Sequence, residues 1–257
     1  MLHTRSVRRV GEGESGQCDE VVSRDEVLVQ LMTLTSALHH LCHHHYHQSS
    51  LLPSLHQQAL DVMERVCGFR VYRTPSPLGG LGVVAAVSGD GSVAAVKRGQ
   101  LVGLYPGTLY LPHQPIFFQS INNSFIFRCA DGILIDGNDK RISKFLYKSC
   151  CGRDRIGMMP SADDTWLTDH PINPLNVGQY VNNQSSGCPS NVVYQEVTLQ
   201  PWEASLEERR LLPNLWYSNP PPGISLLDLP IRLVALVATR DIHSGEELLS
   251  DYFTVIH

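Results

Sequence analysis

Two stretches near the amino terminus carry the apolar spacing of amphipathic helices. Hydrophobic residues recur every three or four positions from Val27 to Leu41 and again from Leu55 to Val66, which places them on one helical face. Ser23 and Glu26 have the spacing of a capping box ahead of the first stretch. We therefore predict a helical hairpin over residues 23–67, and disorder in the polar, unpatterned residues 1–22.

From Gly68 onward the pattern changes to short apolar runs separated by glycine and proline, which is typical of β-strands. Seven runs predict strands: Phe69–Tyr72, Gly82–Val87, Leu101–Tyr105, Phe125–Arg128, Ile133–Ile135, Val192–Val197 and Leu233–Ala238. Two irregular stretches, at about 139–175 and 200–230, are interpreted as insertions, the first with one or two short helices and the second with one over Glu203–Leu211. The pattern predicts an α+β chain.

The last strand belongs to a segment, Ile231 to Tyr252, that also contains a turn at Ser244-Gly245 and two adjacent glutamates. A strand followed by a turn and a tyrosine is not the pattern of a frayed end. We expect this segment to enter the core and to hold Tyr252 in a working position.

Composition narrows the class of protein. Of the 257 residues, 42% are hydrophobic and 18% are charged, which favours a globular chain. The formal net charge of −5 disfavours direct nucleic-acid binding, and no apolar run is long enough to cross a membrane. Seven cysteines without a C-x-x-C pair indicate a reduced intracellular setting, nuclear or cytoplasmic. Acidic residues between 12 and 20 disfavour a mitochondrial transit peptide.

A run of histidines lies at the end of the first predicted helix, at positions 39, 40, 43, 44, 45 and 47. Pairs four residues apart would share a helical face and could bind a metal ion. No carboxylate has the matching spacing, and histidines are also favoured at a solvated helix end by the helix dipole. We favour the solvated end and assign no metal ligand.

The sequence Gly80-Leu81-Gly82 begins a match to the dinucleotide-binding pattern G-x-G-x-x-A. That function is excluded because no strong strand precedes the glycines and no Asp or Glu occurs between residues 91 and 130. Two interpretations of the glycines stay open: a close approach of the backbone to a ligand or another segment, or a plain hairpin turn.

Four motifs in order now resemble the SET domain of protein lysine methyltransferases. The family patterns are G-x-G, Y-x-G, N-H-S-C-x-P-N and G-E-E-L-x-x-x-Y. This chain carries Gly80-Leu81-Gly82, then Tyr105-Pro-Gly107, then the stretch 182–191 (NNQSSGCPSN), then the stretch 245–252 (GEELLSDY). The resemblance implies a SET-type fold of several small sheets over residues 68–257, with the carboxyl-terminal segment threaded beneath a preceding loop.

The same resemblance implies S-adenosylmethionine as cofactor and a lysine on a protein as substrate. Tyr252 matches the tyrosine at the methyl-transfer site, and Tyr105 is the second hydroxyl expected there. Cofactor contacts are expected from Leu81, Gly82, Asn182, Asn183 and Tyr252. Glu246 and Glu247 match a structural position, and we expect them to anchor the turn by hydrogen bonds rather than to act as paired catalytic carboxylates.

A channel that favours the neutral amine needs aromatic walls, since free lysine has a pKa near 10.4. The aromatic residues available for it are Phe117, Phe118, Phe125, Phe127, Tyr180, Tyr252 and Phe253.

Three departures from the family pattern motivate an alternative to the methyltransferase function. Asn183 replaces the histidine, the stretch from Asn182 to Asn191 is longer than the family's, and five residues after Tyr252 leave no room for a zinc-binding cysteine tail. The alternative is a catalytically silent SET module that binds a protein. In either case the amino-terminal helices, the 200–230 insertion or a protein partner would have to complete the pocket.

Overall fold

The computed structural model describes residues 8–9, 21–42, 49–88, 94–156 and 159–251. The α-helices in these ranges are α1 (Arg24–Cys42), α2 (Leu52–Cys67), α3 (Phe117–Ser120), α4 (Arg141–Arg153) and α5 (Leu206–Arg209). The strands are β1 (Arg8–Arg9), β2 (Arg70–Pro75), β3 (Leu81–Ala86), β4 (Ala94–Val96), β5 (Leu101–Leu104), β6 (Gly107–Tyr110), β7 (Ile126–Arg128), β8 (Leu134–Asp136), β9 (Arg155–Ile156), β10 (Met159–Pro160), β11 (Asn182–Asn183), β12 (Val192–Leu199), β13 (Asn214–Trp216), β14 (Ile231–Ala238), β15 (Ile242–His243) and β16 (Leu249–Ser250).

Both predicted amino-terminal helices form, and they pack against each other. The capping box is confirmed: the backbone N of Ser23 donates to the carboxylate of Glu26 at 2.8 Å, and the N of Glu26 donates to Oγ of Ser23 at 3.3 Å. Leu31 on α1 and Met63 on α2 are fully buried in the same hydrophobic cluster as the central strands. The two helices therefore brace the sheets through a shared core.

Several small sheets make up the β part, so the predicted α+β class is confirmed. One sheet has five strands in the order β1-β7-β8-β6-β13, and another has three in the order β12-β14-β5. Two-stranded sheets pair β2 with β3, β4 with β15, β9 with β10, and β11 with β16. Strand β14 is central, since it lies antiparallel to both β12 and β5 and every residue of it except Arg232 is buried.

The predicted strands form with small shifts of their ends, whereas other elements depart from the prediction. The helix expected over Glu203–Leu211 is the short α5, whose first turn is capped by Ser205. Strands β6 and β13 were not predicted as such, because glycine begins one and prolines surround the other. These two strands form because they pair with each other: β13 runs parallel to β6. Their local sequences alone do not indicate strands.

The carboxyl-terminal strand β16 is held from two sides by one segment. Asn182 and Asn183 in β11 run parallel to Leu249 and Ser250 in β16. At the other end of the same segment, the backbone N of Asn191 donates to the carbonyl of Leu249 at 2.8 Å. Both ends of residues 182–191 therefore hydrogen-bond to the same two-residue strand.

Three predictions concern residues outside the described ranges. The expected disorder of residues 1–22 falls almost entirely there, although Arg8–Arg9 form β1 beside β7. Most of the histidine run also lies outside, and so do Tyr252 and Phe253. In the part of the chain that is described, no helix has the length and apolar character needed to cross a membrane.

Candidate functional site

A tight turn precedes the Gly-x-Gly sequence. The backbone N of Ser76 donates to the carbonyl of Gly80 at 3.0 Å, and Gly79 and Gly80 have φ values of 106° and 68°. Glycine adopts these angles without the strain that a Cβ would impose. The turn interpretation therefore holds for Gly79 and Gly80.

Gly82, two residues on, corresponds to the other interpretation, a close approach. A Cβ built on Gly82 would overlap Oε1 of Glu247 and lie 3.1 Å from Cβ of Ser76. Glycine at this position therefore leaves room for a carboxylate from the carboxyl-terminal segment. The two interpretations left open by the sequence apply to different glycines of the same motif.

The carboxylate of Glu247 joins three separate segments of the chain. Its Oε1 accepts a hydrogen bond from Nδ2 of Asn182 at 2.9 Å, and its Oε2 accepts one from Oγ of Ser76 at 3.0 Å. Nδ2 of Asn182 also donates to the carbonyl of Leu81 at 3.1 Å. Leu81, Gly82 and Asn182, which were predicted separately from sequence, therefore meet around one side chain.

The backbone beside Glu247 lies along strand β3. The N of Leu248 donates to the carbonyl of Val83 at 2.7 Å, and the N of Ala85 donates to the carbonyl of Glu246 at 3.2 Å. These two hydrogen bonds fix the position of Glu247 along strand β3. Its side chain is thereby held over Gly82.

Glu246 has a different role from its neighbour. It forms an ion pair with Arg240, accepts from the backbone N of His243 at 3.0 Å and accepts from Nδ2 of Asn191 at 3.1 Å. Burial acts to raise the pKa of Glu246, but the hydrogen bonds from Arg240 and His243 outweigh it and hold the pKa below its usual value. The expectation that this glutamate anchors the turn is confirmed.

Asn191 is fully buried at the centre of the same region. Its Nδ2 donates to the carbonyl of Glu247 at 2.8 Å, and its Oδ1 accepts from the backbone N of Leu249 at 2.8 Å. The side chain thus satisfies backbone groups of the carboxyl-terminal segment that would otherwise be buried without partners.

A cleft of about 640 Å³ opens beside Glu247. Its walls include Tyr72 and Thr74 of β2, Leu78 of the turn, and Cys188 and Pro189 of the segment 182–191. The volume is within the range of small-molecule and cofactor sites, and the mixture of apolar walls with a few polar groups is typical of them. Glu246 and Glu247 line the cleft, whereas Leu81, Gly82 and Asn182 are not among its lining residues.

Tyr105 lies in the core and is not among the residues that line the cleft. Its hydroxyl donates to the carbonyl of Phe125 at 2.9 Å, and its ring packs on Phe127 and Tyr194 with centroid distances of 5.2 and 6.2 Å. The hydroxyl of Tyr194 accepts from Oγ of Ser250 at 3.1 Å. Tyr105 is thereby connected through packed rings to the strand that leads to Tyr252.

Comparison with known proteins decides the family. No model of a known protein family matches the chain. Over 211 residues the chain is 46% identical to SET domain-containing protein 9 from human, a match that covers 80% of the chain and 67% of the human protein. It is also 46% identical over 211 residues to the orangutan (Pongo abelii) protein of the same name, covering 80% of the chain and 73% of that protein.

The chain belongs to the SET domain-containing protein 9 family. The resemblance to SET domains drawn from the four sequence motifs is thereby confirmed at the level of the family.

In this member of the SET domain-containing protein 9 family, some of the aromatic residues expected to line one channel lie in the core and others lie on the surface. Phe127 is buried in the core, and Phe125 packs edge-on against Tyr180 with centroids 6.0 Å apart. Phe117 and Phe118 instead lie on the surface, 58% and 68% exposed. The reason is local: the inward position of α3 is taken by Gln119, which is buried and donates to the hydroxyl of Tyr110 at 3.4 Å.

Asn183 also differs in placement from Asn182. Its side chain is exposed, whereas Asn182 is held by Glu247 and Leu81. The sequence prediction missed Ser76 and Asn191 as partners of the glutamates. The signal for Asn191 was present, since it matches the last Asn of the N-H-S-C-x-P-N pattern; nothing marked Ser76.

One further cluster of potential metal ligands in this family member is an ion-pair site. Ligand atoms of Cys129, Asp131 and Glu196 lie within 4.8 Å of one another. Both carboxylates pair with Arg232, and burial raises the pKa of the Cys129 thiol. The guanidinium supplies the positive charge that these carboxylates need, and the thiol is held in its poorly coordinating protonated form.

Proposed function

We propose that this chain is an S-adenosylmethionine-dependent methyltransferase that acts on a lysine side chain of a protein. Membership of the SET domain-containing protein 9 family supports a SET-type fold, in which a carboxyl-terminal segment is threaded beneath a loop. The hydrogen bonds of β16 to both ends of residues 182–191 support the same topology.

The observation that carries the proposal is the convergence on Glu247. The G-x-G, N-N and G-E-E-L motifs are distant in sequence, yet Gly82 and Asn182 both meet the carboxylate of Glu247, a residue that lines the cleft of about 640 Å³. Through this carboxylate, residues of the other two motifs come within one side chain of the cleft.

The charge of the cleft lining supports the cofactor assignment. Its charged lining residues are Arg240, Glu246 and Glu247. Arg240 is paired with Glu246, so the carboxylate of Glu247 leaves the wall with a net negative charge. S-adenosylmethionine carries a positively charged sulfonium, which a carboxylate attracts in a partly desolvated cleft. The resemblance assigns the cofactor contacts to Leu81, Gly82, Asn182, Asn183 and Tyr252, and Gly82 and Asn182 adjoin the cleft through Glu247.

S-adenosylmethionine, when bound, supplies a methyl group on a sulfonium. The protein's task is to present a neutral amine, although lysine is mostly protonated near neutral pH. Burial among aromatic rings disfavours the ammonium form, and Phe125 with Tyr180 offers such a surface. The hydroxyl of Tyr252 orients the amine, and Tyr105 supports the site by fixing the backbone carbonyl of Phe125.

Calorimetric titration with S-adenosylmethionine tests the cofactor assignment. We expect binding by the wild type and weaker binding by Asn182→Ala, with Ser186→Ala, an exposed position of the same loop, as matched control. No binding at high protein concentration would refute the proposal. A methylation assay on arrayed proteins then tests the activity, and Tyr252→Phe should abolish transfer while S-adenosylmethionine still binds.

A second function is favoured by one observation. The hydroxyl of Tyr105 is buried and already donates to Phe125, so it does not face an open channel. A catalytically silent SET module that binds a protein would fit this arrangement. It predicts no methyl transfer on any arrayed protein, while a defined protein complex is retained with Tyr252→Phe.

A further inference from the structure

Exposed apolar residues that the site does not use lie on α3 and α4, two helices that are in contact. Phe118 is 68% exposed and Phe145 is 73% exposed, and three further large apolar residues are also exposed nearby in the same two elements or directly after α3. We define the α3–α4 face by these five residues: Phe117, Phe118, Ile121, Ile142 and Phe145. Monomeric proteins rarely leave such clusters exposed without an interaction to serve.

Basic residues border the face. Lys140, Arg141 and Lys148 are exposed, and Lys144 is half-buried with its Nζ donating to the carbonyl of Leu167 at 3.0 Å. None of the four forms an ion pair with a carboxylate in the described ranges, and the sequence of α4 contains no acidic residue. This is a local positive surface on a chain whose formal net charge is −5.

We propose that the α3–α4 face binds an acidic, amphipathic segment of a protein partner. The phenylalanines would receive its apolar side chains, in the manner of aromatic anchors at interfaces. The unpaired lysines and arginine would pair with its carboxylates, which accelerates association and fixes orientation. A basic segment would be repelled by the basic border. Two copies of a chain with formal net charge −5 repel each other overall, which favours a separate acidic partner over a second copy.

One hydrogen bond links the start of α4 to the segment that leads to Asn182. Asp139 directly precedes Lys140, and its Oδ2 accepts a hydrogen bond from the hydroxyl of Tyr180 at 2.6 Å. Tyr180 lies two residues before Asn182 in the chain. A partner docked on α4 would therefore be held close to the segment that carries Asn182, although docking itself does not depend on methyl transfer.

Peptide display on the full chain tests this inference. A random library of peptides of about 16 residues, long enough for several helical turns, is selected against the immobilised wild type. We expect the enriched peptides to combine aspartate or glutamate with large apolar residues. Labelled copies should bind in solution, with affinity that falls as salt rises because the charges are screened.

Surface variants locate the binding. Phe118→Ser with Phe145→Ser should weaken peptide binding at least about 10-fold, as expected for loss of aromatic anchors, and Lys148→Glu should weaken it as well. Both phenylalanines are exposed, so the melting temperature should be unchanged. Trp202→Ser is the matched control, because Trp202 is 80% exposed on a different element.

Four outcomes would overturn the proposal. The selected peptides lack an acidic excess, or they bind the phenylalanine variant as well as the wild type. Sedimentation shows self-association that Phe118→Ser with Phe145→Ser abolishes, which would assign the face to a second copy. Vesicles of phosphatidylcholine and phosphatidylserine bind the wild type but not the variant while no peptide is enriched, which would assign it to a lipid surface.

Discussion

The carboxylate of Glu247 lies where a side chain on residue 82 would be. A Cβ on Gly82 would overlap Oε1 of Glu247, and that oxygen is hydrogen-bonded to Asn182. Gly82 and Glu247 are therefore a matched pair: the absence of one side chain makes the position of the other possible. This relationship connects the amino-terminal and carboxyl-terminal motifs of the site.

Gly82→Ala should displace the Glu247 carboxylate and break its bond to Asn182. We expect the free energy of unfolding to fall by about 1–3 kcal/mol, the usual cost of overpacking, and binding of S-adenosylmethionine to weaken. Thermal melts and calorimetry measure the two effects.

The double variant Gly82→Ala with Glu247→Ala is the control for steric origin. Because the second change removes the atoms that collide, its stability should exceed the value expected from adding the two single effects. Strict additivity would contradict the steric relationship. Gly187→Ala, with no heavy atom within 4 Å of its built Cβ, should change little.

Asn191→Ala should be among the more destabilising single changes in the carboxyl-terminal half. It leaves the backbone N of Leu249 and the carbonyl of Glu247 without their partner in a buried region, where each unsatisfied group costs about 1–3 kcal/mol. Chemical denaturation should show the loss, and Ser186→Ala on the exposed part of the loop should not. Equal stability of the two variants would argue against the proposed role of Asn191.

The burial of Asp163 should make the free energy of unfolding depend on pH. It is completely buried and accepts from the backbone N of Thr165 at 2.8 Å and from Nδ2 of Asn176 at 2.7 Å. Burial, opposed only in part by these hydrogen bonds, raises its pKa to about 7. The folded state therefore holds the proton more tightly than the unfolded state. This stabilisation is complete below the unfolded pKa near 3.9 and is lost as the pH rises to about 7, by about 1.4 kcal/mol per pH unit.

Asp163→Asn should remove that slope. The new amide can keep its carbonyl toward Thr165, and its nitrogen then replaces the oxygen that accepts from Nδ2 of Asn176. The Asn176 amide therefore has to turn over and present Oδ1, a buried oxygen without a hydrogen-bond partner in the described ranges. Unfolding curves from pH 4 to 8 should show the variant gaining on the wild type as the pH rises. Asp25→Asn, at a side chain 85% exposed, controls for the change in net charge, and parallel curves for wild type and Asp163→Asn would contradict the prediction.

Tyr105→Phe separates a supporting from a reacting hydroxyl. The change removes the donor to the carbonyl of Phe125 in the core, and we expect a loss of about 1–2 kcal/mol in the free energy of unfolding. Methyl transfer should fall less than it does with Tyr252→Phe, and affinity for S-adenosylmethionine should be unchanged. A loss of transfer as complete as that of Tyr252→Phe, without a loss of stability, would assign the reacting role to Tyr105.

The sequence could predict those parts of the fold whose causes are local. The capping box of Ser23 and the apolar period of α1 act within a few residues, and so does the continuous apolar run of β14. Strand β13 could not be predicted, because it forms by pairing with β6, more than a hundred positions away in sequence. The exposure of Phe118 could not be predicted either, because it depends on the hydrogen bond from the buried Gln119 to the hydroxyl of Tyr110.

For the candidate site, motif order predicted which residues to consider but not how they are connected. Leu81, Gly82 and Asn182 could be named from the resemblance, whereas the bond from Ser76 to Glu247 spans 171 positions and has no local signal. Asn183 shares a motif with Asn182, yet its side chain is exposed. Strand β11 determines which of these two asparagines faces Glu247, and β11 forms only by pairing with β16.

The two-residue strand β16 also constrains the order in which the molecule can fold. Asn191 reaches Leu249 across 58 positions, Asn182 reaches Glu247 across 65, and Leu81 reaches Asn182 across 101. Contacts of such long range have high loop-closure entropy and form slowly. The Glu247 network cannot form before residues 245–250 have been synthesised. During translation it is therefore among the last parts of the described chain that can form.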